Sequence, residues 1–272
     1  MEEVLSNKLN TLKRNIGKIE KLAVAFSGGV DSTFLLKVAA DVLTKNNVIA
    51  ITVKSPLIPQ SEFTESVQLA EAIGTKQIII DTENELFENE NIKNNKYDRC
   101  YYCKKINFSK IVDLSRTLGF GFVADGSNFD DIKDYRPGFK ALYELGIISP
   151  LIDAHLTKSE IRELSKELKL STYDKPAFAC LATRFSYNTS VTYELLNRVE
   201  TTEEFIKQFN IRQLRVRDHK DTARIEVLPE DFNKILEYRE TIIKKFRELG
   251  YKYISLDIEG YDTGKMNRQL EK

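Results

Sequence analysis

The sequence lacks a net charge. Its 272 residues carry 41 Lys and Arg against 41 Asp and Glu. Such a chain offers no whole-surface positive field for DNA or RNA and leaves only a local basic cleft open to them, so nucleic acid is not the expected partner. It also lacks any apolar run near the roughly 20 residues needed to cross a bilayer. The opening MEEVLSNKLNTLKRN is charged and amphipathic, without the apolar core of a signal peptide. A cytoplasmic protein with no membrane partner is therefore expected. Cysteine is scarce and odd in number, three in all with two as CxxC; this excludes a disulfide scaffold and points to reduced thiols with a chemical role. No internal repeat or low-complexity tract occurs, and no Gly-Lys-Ser/Thr follows the one glycine pair that opens a helix, which excludes a Walker loop.

What is present centres on residues 22–33, LAVAFSGGVDST. Residues 22–26 have the length and apolarity of a strand buried on both faces, and residues 33–43 have the spacing of a helix. A strand, a glycine turn and a helix aim free backbone N–H groups and the positive helix end at an anion. Gly28 and Gly29 permit positive φ and close approach to a phosphate. Ser27, Ser32 and Thr33 add hydroxyl donors, and Asp31 is placed to hold magnesium or to cap the helix. An ordinary capped turn is the plainer alternative. SGGVDS resembles the PP-loop of the ATP pyrophosphatases, which split ATP between its α and β phosphates and adenylate a substrate oxygen. The resemblance implies Ser27, Gly28, Gly29, Val30, Asp31 and Ser32 around the departing pyrophosphate, with Asp31 on magnesium.

Along the chain, helices are expected at 7–21, 64–73 (closed by Gly74), 103–118 and 157–168, and strands at 48–53, 77–80 and 121–124. Residues 84–98 read as a surface helix with a loop, and Arg136, Pro137 and Gly138 as a turn. Thr157 to Glu160 forms a capping box, assigned to structure alone. Short apolar strands alternating with helices predict an α/β fold with a parallel sheet sandwiched by helices. Ligands of such sheets sit outside the carboxyl ends of the strands, where SGGVDS and the acidic loop DGSNFDD both fall. Asp125 and Asn128 in that loop are candidate nucleotide contacts, with a hydrophilic turn as the alternative. The character changes near residue 190, and the order helix 194–208, strands 213–217 and 223–227, long helix 229–249, strand 253–256 predicts a small α+β domain on an antiparallel sheet. The expected domains are 1–188 for the PP-loop and 189–272 for substrate binding and oligomerisation.

The cysteines admit several readings. Cys100 and Cys103 lie about one helical turn apart, and Cys180 sits in KPAFACLATR. Structural zinc needs a fourth ligand that only His155 or His219 could supply. A redox dithiol leaves Cys180 idle, and inert buried thiols are the plain alternative. Otherwise the three thiolates hold one iron–sulfur cluster, or Cys180 alone is the sulfur source. SGGVDS, DRCYYCK, DGSN, KPAFACLATR, LRVRDH, ARIEV and GYDTGKMN together resemble the LarE family, the sulfur transferases of nickel-pincer cofactor synthesis. The resemblance spans nearly the whole chain. It implies ATP and Mg²⁺, a pyridinium mononucleotide whose carboxylate is adenylated, sulfide or another sulfur donor, and assembly as a homo-oligomer. It makes Cys100, Cys103 and Cys180 catalytic, either as ligands of a [4Fe-4S] cluster or with Cys180 as a sacrificial donor. A PP-loop tRNA thiolase is the alternative enzyme, and a non-catalytic nucleotide sensor the alternative from another class.

Arginine's fork suits phosphate and carboxylate, which makes Arg184, Arg215, Arg217 and Arg224 candidates for substrate binding; solvated strand charges are the alternative. The resemblance adds Glu203 and, by a looser match, Asp231. It also implies an arginine where Asp262 stands, so either Lys265 compensates or the substrate differs.

Overall fold

The computed structural model describes residues 3–133, 137–262 and 264–269. Arg136 of the expected turn and Thr263 of the GYDTGKMN motif lie outside the described residues. Two compact units are formed, Met1–Ile92 with Asp98–Ala177, and Lys93–Tyr97 with Phe178–Lys272. The division falls ahead of the change in character near residue 190, so Cys180 and its loop go with the second unit.

In the first unit, strands β1 (Leu22–Ala25), β2 (Val48–Lys54), β3 (Lys76–Asp81) and β4 (Phe122–Ala124) form a sheet in the order β3-β2-β1-β4, every pair parallel. The helices are α1 (Glu3–Ile16), α2 (Val30–Leu43), α3 (Gln60–Ile73), α4 (Glu83–Glu88), α5 (Glu90–Lys93), α6 (Arg99–Thr117), α7 (Gly138–Glu144), α8 (Pro150–Asp153) and α9 (Lys158–Glu167). Side chains alternate across a strand, and here both faces are covered. Leu22 and Val24 enter one core with α1, α2, α3 and α9, while Ala23, Ile49 and Ile51 enter the other with Ile111 and Val112 of α6. That is why β1 and the body of β2 read as unbroken apolar runs. α3 ends as expected, with Gly74 at φ 77° donating to the carbonyls of Ala70 and Glu71. The Thr157–Glu160 capping box is formed at the start of α9. α2 begins three residues sooner than expected, so Asp31 and Ser32 lie inside its first turn. Its N-cap is Gly29, with no side-chain cap. Thr33 is fully buried, which removes its hydroxyl from the mouth of the loop.

In the second unit, α10 (Tyr193–Lys207) precedes β5 (Leu214–His219), β6 (Thr222–Val227), α11 (Phe232–Glu237), α12 (Arg239–Glu248) and β7 (Tyr253–Leu256). β5 and β6 form an antiparallel hairpin, its turn narrowed to Lys220 and Asp221. β7 pairs with β6 in parallel, which corrects the expected antiparallel sheet. The physical reason is the helical crossover between them, the connection that a parallel pair requires. The long helix expected over 229–249 is broken into α11 and α12 at Tyr238, whose ring stacks on Phe209 at 4.3 Å. Ile235, Ile242 and Phe246 still share one core with Leu214, Val216, Ile225 and Val227.

Gly28 governs the turn after β1. Its φ is +71°, and a Cβ there would stand 2.9 Å from the Ser66 Cβ and 3.0 Å from its Cα. Gly28→Ala therefore combines left-handed strain with a clash against α3, and is expected to destabilise the protein by about 1–3 kcal/mol in urea unfolding. Unchanged stability would show that the turn tolerates a side chain.

Candidate active site

The glycine turn of the first unit is built from short polar contacts. Ser27 Oγ and Ser32 Oγ are 3.1 Å apart, the Gly29 N–H donates to Ser27 Oγ at 3.4 Å, and Ser32 Oγ donates to the Gly29 carbonyl at 3.3 Å. Ser27 is exposed at the mouth and Val30 is buried behind it. The first backbone N–H groups of α2 follow at once, with no intrahelical acceptors. Asp31 Oδ2 accepts from the Lys158 ammonium at 2.6 Å, whereas Asp31 Oδ1 is buried without a partner. An orphaned carboxylate oxygen beside a phosphate-sized turn fits a magnesium ligand.

The acidic loop reaches the turn through its backbone. A Cβ on Gly126 would lie 3.0 Å from the Ser32 nitrogen, so the absence of a side chain lets the two loops touch. The side chains of this loop bond within the loop and to the segments beside it. Asp125 accepts from Ser149 Oγ at 2.6 Å and from Ser127 Oγ. Asn128 Oδ1 accepts from the Asp130 N–H at 3.0 Å, and the Asn128 N–H donates to Asp131 Oδ2 at 3.0 Å. Two lysines that the sequence reading left without a role complete the turn's surroundings. Lys158 is one; Lys175 is the other, its ammonium 2.8 Å from both Glu62 and Glu65 and 3.2 Å from the Gly28 carbonyl. No local pattern could have found either, since each reaches its partner from more than 100 positions away in sequence. The only signal was position: Lys158 stands in a capping box and Lys175 heads the motif that contains Cys180.

α6 starts earlier than expected and takes both CxxC thiols into its first turns. Cys100 is exposed, while Cys103 is half-buried and receives Asn107 Nδ2 at 3.5 Å. Cys180, on the second unit, is half-buried. Among the described residues no three His, Cys, Asp or Glu side chains are grouped to hold a metal ion.

Cys180 caps a short 3-10 turn, Leu181–Arg184, and its carbonyl is fastened three times, by the Thr183 N–H at 2.9 Å, Thr183 Oγ1 at 2.8 Å and Arg184 Nη1 at 3.1 Å. Arg184 is 2% exposed. Its Nε and Nη2 grip Glu203 at 2.9 and 2.7 Å, and Nη1 also reaches the Ala179 carbonyl at 2.6 Å. Glu203 in turn accepts the Val216 N–H of β5 at 2.8 Å. This guanidinium faces the Cys180 loop and α10, so Arg184 and Glu203, both expected at the substrate, are joined to each other beside Cys180. Burial opposes the Glu203 charge most strongly, but the Arg184 guanidinium, the Arg215 charge and the Val216 N–H together hold the carboxyl below its ordinary 4.5. Arg217 binds Glu226 at 2.9 Å and the Thr183 carbonyl at 2.6 Å, and Arg224, the more exposed, shares Glu226 at 3.0 Å. Arg215 lies 5.2 Å over the Tyr261 ring; burial and the neighbouring Arg184 charge pull it below its ordinary value. Asp231 is buried against Lys234 at 2.7 Å. Asp262 pairs with Arg268 at 3.3 Å, while Lys265 is engaged by Asp257 at 2.7 Å. The counter-charge to Asp262 is thus Arg268.

No helix of the described residues is long and apolar enough to cross a membrane. A PP-loop domain family matches residues 1–97. The chain is 35% identical over 98% of its length to the pyridinium-3,5-bisthiocarboxylic acid mononucleotide synthase of Lactiplantibacillus plantarum, covering 96% of that protein. It is also 39% identical to an uncharacterised protein of Synechocystis sp., over 99% of this chain and all of the relative. A third relative, an uncharacterised protein of Methanocaldococcus jannaschii, is 33% identical over 95% of this chain and 98% of its own length.

Removing Arg184 leaves Glu203 as a buried charge without its ion-pair partner. Arg184→Met is expected to cost about 3–5 kcal/mol in urea unfolding, and adding Glu203→Leu to restore most of the loss. The acid limb should change as well. The folded Glu203 value lies below 4.5, so the pair's contribution is whole above that pH and fades as pH falls through the folded value. The double variant should lose less stability than the wild type between about pH 5 and pH 3.

Proposed function

Since the chain belongs to the LarE family, that of the pyridinium-3,5-bisthiocarboxylic acid mononucleotide synthase, we propose that it is an ATP-dependent sulfur transferase. It converts a carboxylate of a pyridinium mononucleotide into a thiocarboxylate. The observation that carries this reading is the near-full-length similarity, which takes in both the glycine turn of the first unit and the cysteine and arginine segments of the second.

The reaction has two displacements. A carboxylate oxygen attacks the α-phosphorus of ATP, the bond to the bridging oxygen breaks, and its electrons leave with pyrophosphate. Ser27, Gly28, Gly29, Val30, Asp31 and Ser32 receive that pyrophosphate, where the N–H groups of the α2 start stabilise its charge. Asp31 Oδ1 would hold Mg²⁺, which supplies further neutralisation of the leaving group. Asp125 and Asn128 shape the loop that brings Gly126 against Ser32. A sulfur lone pair then attacks the acyl-adenylate carbon, the carbon–oxygen bond breaks, and AMP leaves. Arg215, Arg217 and Arg224 bind the anionic groups of the mononucleotide. Arg184 and Glu203 hold the Cys180 loop in place.

We place the sulfur chemistry on Cys100, Cys103 and Cys180. The cysteine pattern supports a [4Fe-4S] cluster on these thiolates, since complete ligation takes four and three leave one iron to bind exchangeable sulfide. A sacrificial Cys180 would need neither partner. The test has two parts. A pyridinium mononucleotide with ring carboxylates should trigger pyrophosphate release from Mg·ATP, and tRNA should not; the reverse result overturns the transferase reading. Anaerobically prepared protein should contain iron and acid-labile sulfide that Cys100→Ala and Cys103→Ala both abolish. Iron-free protein that yields dehydroalanine at position 180 would establish sacrifice instead.

A further inference from the structure

Lys158 opens α9, yet its ammonium serves the glycine turn. Nζ lies 2.6 Å from Asp31 Oδ2, and the residue's own backbone N–H donates to Asp130 Oδ2 at 2.9 Å. Its base is fixed by the capping box of Thr157 and Glu160, and Glu160 is tied in turn to Lys8 at 2.7 Å. The side chain is 32% exposed and the Asp31 side chain 19%. One oxygen of Asp31 is thus neutralised, and the other is buried without a partner. A hard divalent cation prefers such oxygens, but one arriving alone must displace the ammonium or endure its repulsion at close range in a partly desolvated site. A cation that arrives on a polyphosphate meets a different balance, because the polyphosphate gives the ammonium a more negative partner. Lys175 has no such freedom: Glu62, Glu65 and the Gly28 carbonyl hold it, and its side chain is 11% exposed.

We propose that Lys158 is the resident counter-ion of Asp31. It keeps free divalent cations off the turn and transfers to the phosphates when metal enters bound to nucleotide. The second half rests on the ATP-binding reading given above; the exclusion of free metal needs no nucleotide.

The probe is Mn²⁺ titrated into the nucleotide-free protein, with free ion read by electron paramagnetic resonance. Lys158→Met should bind Mn²⁺ about tenfold more tightly than wild type. Adding Asp31→Asn should cancel the gain, and Lys158→Arg should stay at the wild-type value. Mg·ATP affinity, measured by calorimetry, should move the other way and weaken at least about fivefold in Lys158→Met. A lysine with a merely structural role would weaken both. Lys158→Gln must repeat the result of Lys158→Met. Equal Mn²⁺ affinities in wild type and Lys158→Met, a gain that survives Asp31→Asn, or disagreement between the two neutral variants overturns the proposal. Failure of the wild type to bind Mg·ATP overturns the ATP reading instead and leaves the metal result to decide the exclusion.

Discussion

The contact between Gly28 and α3 sets what the first unit can do. β1 ends among buried side chains, and α2 must begin within a few residues if its apolar face is to reach the same core. Only a residue without Cβ fits at φ +71° within 3 Å of Ser66. With that turn in place, the first N–H groups of α2 cannot be capped by a side chain and are left to the mouth of the loop. Gly29 as an N-cap without a side-chain bond is the visible sign. An anion is the natural occupant of such an end, because the helix dipole and several donors converge on it at no cost in reorganisation.

The second unit meets a related problem with charge instead of backbone. Arginines brought onto one hairpin would repel one another without acids to separate them. Glu203 and Glu226 do so from inside the protein, the first gripping Arg184 and the second shared by Arg217 and Arg224. The buried pairs have a structural consequence: three hydrogen bonds from their two guanidinium groups end on carbonyls of residues 179, 180 and 183. The backbone beside Cys180 is therefore suspended from ion pairs whose partners lie on α10, β5 and β6. A thiol on such a loop keeps its position without being buried, which suits a residue that must meet a substrate.

Much of this was legible in the residues. β1 and α2 were readable because a doubly buried strand leaves an unbroken apolar run, and the Thr157 box because both halves of a cap lie within four positions. The parallel pairing of β7 was open to inference from the helical crossover before it, yet alternation in β5 and β6 drew attention to a hairpin alone. The break at Tyr238 coincides with stacking on Phe209, a contact between distant residues that no helical period encodes. Arginine was recognised by type, but its direction was not. Arg184 and Arg224 carry the same side chain, and only the fold sends the former into Glu203 and leaves the latter partly in solvent.

The balance of 41 cations and 41 anions gains meaning from these pairings. Lys158 sits on Asp31, Lys175 on Glu62 and Glu65, and Arg184 on Glu203. In each unit these cations are already neutralised by the protein's own carboxylates, so an anionic ligand does not enter a field of bare positive charge at the glycine turn. It has to exchange partners with a side chain already in place. Exchange of that kind favours ligands that bring a compensating cation, since each carboxylate given up by a lysine or arginine then finds a new one. A neutral composition thus fits a protein that receives metal-bound nucleotide more naturally than one that gathers bare polyanions from solution.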